Sequence, residues 1–83
     1  YTIGESIKKE IMSMIINIYK ANSKKQKLPH IQSARENIEV IRVFLRLLQD
    51  LKQVNIKKFV RLNSLCESVS KQLVAWEKYN KNG

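Results

Sequence analysis

Eighty-three residues with sixteen Lys and Arg against seven Asp and Glu carry a formal net charge of +9. A chain this short makes one domain with a marginal core and little room for an enzyme cleft, and its charge favours phosphate-rich or otherwise acidic partners. The single Cys66 excludes an internal disulfide and a cysteine zinc cluster, and two Gly and one Pro leave so little turn material that the elements must be few and long, hence helices.

Thr2 followed three residues later by Glu5 is a capping box, the signature of a helix start. Behind it Ile7, Ile11, Met14, Ile18 and Ala21 recur at spacings of four and three, which predicts a helix over about 3–21. The stretch "NSKKQKLP", residues 22–29, is polar and basic, and Pro29 suits the first turn of a new helix. From His30 to about Gln53 two adjacent apolar stripes run together: Ala34, Ile38, Ile41, Leu45, Leu48, and Val40, Phe44, Leu47, Leu51, Val54. So wide a face predicts a central helix covered from both sides. Asn55 can cap a third helix, over about 56–79, on which Phe59, Leu62, Cys66, Val69, Leu73 and Trp76 keep the most regular period of the chain. Short connections force neighbouring helices to run in opposite directions, so the expectation is an all-α, antiparallel up-down helical bundle in a single domain, residues 1–83.

Three helices leave apolar surface over. The second stripe of the central helix, with Met12, Ile16 and Tyr19 on the first, exceeds what a three-helix core needs. An upstream helix or a neighbouring subunit is expected to cover it, and the chain's opening on Tyr1 instead of Met fits a missing upstream segment.

The charge is patterned. Opposite its apolar stripes the central helix carries Arg35, Glu39, Arg42, Arg46, Gln49 and Gln53, and the spacing allows Glu39 to pair with Arg42 and Arg46 with Asp50. On the third helix Lys57, Arg61, Ser64, Ser68, Lys71, Ala75 and Lys78 form one stripe with four positive charges and no acid, where a merely solvated face mixes its signs. Acids are absent between Glu10 and Glu36, a span holding Lys20, Lys24, Lys25, Lys27 and Arg35, and again between Asp50 and Glu67. Bases so arranged can displace condensed counterions from a phosphate backbone, a contact that positions without reading sequence. The turn after the central helix gathers Lys52, Lys57, Lys58 and Arg61 at one end of the bundle, with Asp50 to offset them. Phe59 and Trp76 belong to the core stripe and read as packing residues; Tyr1, Tyr19 and Tyr79 stand near helix ends.

Nothing in the sequence predicts catalysis. His30 reads as a first-turn surface histidine without a second metal ligand, Cys66 as a small core hydrophobe, and the scattered carboxylates form no acid/base arrangement. No cofactor is expected. No run approaches the apolar length of a membrane span, and cysteine usage suits a reducing, cytoplasmic home.

The stretch "ARENIEVIRVFLRLLQDLKQVNIKKFVRLNSLCESVSKQLVAWEKY" resembles a small bacterial four-helix-bundle family, that of the accessory variability determinant of diversity-generating retroelements and of the proteins encoded in ribosomal-RNA intervening sequences. The resemblance rests on "LRLLQDL" preceded by an arginine one turn earlier, a short turn, "IKKF" opening the last helix and a tryptophan near its end; "YTIGESI" is similar to the opening of the family's second helix. It implies that three helices of four are present here, that the subunit forms a cyclic homo-oligomer, pentameric in the retroelement branch, and that a basic surface binds nucleic acid and engages a reverse transcriptase. By position Arg42 and Arg46 are similar to the arginines of that surface. The family's first helix has no counterpart in this sequence, and the glycines that precede its last tryptophan are replaced in "SKQLVAW".

The resulting expectation is a non-enzymatic subunit that self-associates and binds RNA or DNA through Arg42, Arg46, Lys52, Lys57, Lys58, Arg61, Lys71 and Lys78. The alternative is a protein–protein scaffold of the intervening-sequence type, in which the apolar surplus does the binding and the charge keeps the assembly in solution.

Overall fold

The computed structural model describes residues 2–23 and 25–82, the last of these in its backbone alone. Tyr1 and Lys24, named above at a helix end and in the basic connection, lie outside the described residues. The chain is all-helical: α1 spans Ile3–Ser23, α2 Leu28–Asp50 and α3 Ile56–Asn82, and the described residues contain no strand. α2 opens two residues before His30 because Pro29 occupies its first turn, and Lys27 before it gives no side-chain cap.

The helix ends are built locally. The Thr2 hydroxyl accepts the backbone N–H of Glu5 at 3.1 Å, and the Asn55 side chain accepts that of Lys58 at 2.8 Å, so α1 and α3 each begin on a side-chain cap. At the end of α1 the Lys27 ammonium donates to the carbonyls of Ala21 and Asn22, at 2.8 and 3.3 Å. That lysine satisfies orphan carbonyls at the negative pole of a helix, a structural use of one of the connection's charges.

α2 stops at Asp50, short of the predicted Gln53, through a motif that carries no glycine to announce it. Lys52 takes a left-handed φ of 58°. Its N–H then bonds the Gln49 carbonyl and that of Gln53 bonds Leu48, both at 2.9 Å, closing the helix as a Schellman turn. A β-carbon in that conformation is unfavourable, by about 1–2 kcal/mol against a right-handed one. Lys52→Gly is therefore expected to stabilise the fold by about 1 kcal/mol, less the greater entropy of glycine in the unfolded chain, raising Tm by several degrees in a thermal melt.

Packing places α2 in the middle. Ala34, Ile38, Ile41 and Leu45 of α2 are buried against Cys66 and Leu73 of α3, with Ile7, Met14 and Ile18 of α1 and Phe59, Leu62, Val69 and Trp76 of α3 packed around them. α1 and α3 both pack on α2, and among the described residues no Cα atom of α1 comes within 8 Å of one of α3. The result is a slab of 44 × 24 × 13 Å, with an open groove between α1 and α3 lined by Ile18, Asn22, Val69, Gln72, Leu73 and Trp76.

The apolar surplus expected of three helices is present: Val40, Leu47 and Leu51 of the second stripe are exposed, and so are Met12, Ile16 and Tyr19 of α1, so the second stripe of the central helix is not covered as the first is. Ile11, expected on the core face, is instead exposed. Two polar links tie the layers together. Asn37 of α2 accepts from the Asn17 amide at 2.9 Å and donates to Glu10 at 2.8 Å, while Arg35 pairs with Glu77 of α3.

Candidate nucleic-acid interface

Every charged member of the acid-free stripe on α3, Lys57, Arg61, Lys71 and Lys78, is exposed, as are Ser64, Ser68 and Ala75 between them. A seven-residue alternation of four and three steps returns to one helix face, so these side chains line up along α3 opposite Phe59 and Cys66. Lys58 is exposed in the first turn, and Lys52 is exposed in the turn between α2 and α3. The left-handed backbone at Lys52 puts a charged side chain where glycine would be less strained. Such strain concentrates at functional positions.

Arg42 and Arg46 occupy a different place. With Glu39, Val43 and Gln49 of α2 and Phe59 and Asn63 of α3 they line a groove between the two helices. The Arg42 side chain is 31 % exposed, and its guanidinium donates to the Glu39 carboxylate at 3.5 Å. Arg46 is exposed and makes no ion pair with Asp50, or with any other acid among the described residues. The expected i,i+4 pair is missing because two solvated side chains gain little from holding one geometry, least of all with the base on the N-terminal side. None of Lys52, Lys57, Lys58, Arg61, Lys71 and Lys78 lines this groove. The eight bases thus form two surfaces: a recess with two arginines, and a convex basic ridge on α3 continued by the turn.

Sequence reasoning missed two features. Asn63 has no charge and no place in a stripe, so its position in the recess could be found only by docking α3 on α2. Glu77 is 6 % exposed although its neighbours in sequence are not, and its pairing with Arg35 spans two helices. A second recess, lined by Gln32, Arg35, Glu36, Glu39, Glu77 and Lys81, surrounds that pair and is mixed in charge.

Cys66 is buried, and its thiol is raised above the usual range, chiefly by desolvation; the nearby Arg42 charge opposes the shift and Glu39 adds to it. Such a thiol is a poor nucleophile at neutral pH. Among the described residues no group of three His, Cys, Asp or Glu could hold a metal ion, and no helix is long and apolar enough to cross a membrane. No protein-family model, curated protein or solved structure matches this chain.

Proposed function

We propose that this chain is a non-enzymatic, basic helical-bundle subunit that binds nucleic acid through backbone phosphates. The carrying observation is the exposed, acid-free row of Lys57, Arg61, Lys71 and Lys78, extended by Lys58 and Lys52. Arg42 and Arg46 add a second, adjoining surface on the same pair of helices. Convex rows of bases suit a phosphate backbone and carry no sequence information.

The proposed architecture is an antiparallel up-down-up arrangement belonging to a four-helix bundle. Its supports are the Arg35–Glu77 link, which joins the first part of α2 to the last part of α3, and Asn80 of α3 beside the connection that holds Lys25 to Pro29. The open groove between α1 and α3 is the vacant fourth corner of such a bundle. Uncovered apolar residues on α1 and α2 favour self-association. The family resemblance adds a pentameric ring and a reverse-transcriptase partner to the proposal, and cysteine usage a cytoplasmic setting.

The deciding measurement is affinity for a mixed-sequence nucleic acid across a salt series. With about six phosphate contacts the affinity falls about a thousandfold between about 50 and 200 mM salt, and Arg46→Gln reduces the slope by about one. A flat salt response, or no binding at low salt, would end this reading. The scaffold alternative draws its support from the exposed Val40, Val43 and Leu47 on α2 and Leu51 just after it. An oligomer in sedimentation that ignores nucleic acid favours it.

A further inference from the structure

The Arg42/Arg46 recess has a composition that phosphate binding alone does not require. Its volume is about 440 Å³, within the range of about 300–1,000 Å³ that holds small ligands. Besides the two arginines it presents two carboxamides, Gln49 from α2 and Asn63 from α3, and neither side chain has a hydrogen-bond partner among the described residues. Both amides are half-buried. Each offers a donor pair and an acceptor, the complement of a base edge. The Arg42 side chain, 31 % exposed and 3.5 Å from the Glu39 carboxylate, sits in the wall of the recess, and guanidinium planes are platforms on which bases stack. Arg46 has no acid to hold it and is available to a phosphate.

From this we infer that the recess takes one unpaired nucleotide, its phosphate on Arg46, its base lying on Arg42 and its edge read by Gln49 and Asn63. The inference rests on the nucleic-acid reading above and narrows it to single-stranded RNA or DNA. Shape decides this. A duplex is read by an element that projects into its grooves, whereas a concavity between two helices admits only a base already out of the stack. Duplex phosphates can still meet the convex ridge of α3, so duplex binding remains as a weaker, sequence-blind activity.

The test uses the whole chain and fluorescence anisotropy with short labelled RNA and DNA single strands and the matching DNA duplex, at one fixed low salt concentration. Either single strand is expected to bind at least about tenfold more tightly than duplex, the contribution of roughly one stacked and hydrogen-bonded base. Asn63→Ala and Gln49→Ala should each remove most of that preference while leaving duplex affinity and the salt slope unchanged, since neither side chain touches phosphate. Asn63→Ser, which keeps a polar group at the site, serves the same comparison if the alanine variant melts early. Equal affinity for single strand and duplex, or a preference that survives both amide substitutions, would overturn the inference while leaving salt-dependent nucleic-acid binding intact. Failure to bind either form overturns both.

Discussion

Ile38→Ala is expected to lower the unfolding free energy by about 2–5 kcal/mol, the usual range for emptying a buried branched position. Ile38 is 2 % exposed and sits among Ala34, Ile41, Leu45, Cys66 and Leu73, at the level where both flanking helices dock on α2. The neighbours cannot close in easily, because Ala34 has no side chain to extend and Cys66 is short. A chain of this size has about 4–12 kcal/mol in total, so the variant stands close to unfolding at room temperature. The shift in urea midpoint at constant slope measures the loss. Val43→Ala is the matched control. Val43 is 66 % exposed, and in a monomer its truncation should change stability by less than about 0.5 kcal/mol. Should self-association cover that face of α2, the control loses more, and its midpoint rises with protein concentration.

Arg35→Ala carries the second large effect. The Glu77 side chain is 8 % exposed while its partner's is 43 %, so the substitution leaves a nearly buried carboxylate facing an enlarged opening. An unpaired buried charge is worth several kcal/mol of destabilisation; here water can enter through the space the guanidinium vacates, which brings the expected loss down to about 1–3 kcal/mol. Replacing both partners, Arg35→Met with Glu77→Leu, should restore most of it, because the double variant buries no charge and gains apolar packing between α2 and α3. A double-mutant cycle in urea resolves the coupling. Additive effects of the single changes would mean that the pair lies together without stabilising the fold.

How far the fold was legible differs from element to element. Thr2 and Asn55 announce two helix starts because an oxygen-bearing side chain before an apolar period has few other uses, and both make the cap. The end of α2 was misplaced because its stop depends on Lys52 in a glycine-like conformation, and nothing about a lysine advertises that. α3 continues to Asn82, past the predicted end near residue 79, since neither Gly nor Pro intervenes to stop it.

For the candidate site, the α3 ridge was readable in full: a single-helix stripe needs only the helical period, and its residues are exposed as a stripe opposite the core must be. The recess was half readable. Arg42 and Arg46 belong to one helix, but their companions Phe59 and Asn63 come from another, and only the relative rotation of α2 and α3 decides which side chains face across the gap. The same limit hid the Arg35–Glu77 pair and the bond chain from Asn17 through Asn37 to Glu10.

The amino-acid sequence by itself determined the helical class, two of the three helix starts and the basic face of α3, because each follows from interactions within one helical turn or a few. Tertiary structure alone decided which of the two apolar stripes on α2 is buried. Both stripes have the same period and similar side chains, so neither is preferred until α1 and α3 dock. They dock on the side of Ala34, Ile38, Ile41 and Leu45, and that choice leaves Val40, Leu47 and Leu51 facing outward and opens the arginine recess on the flank of α3.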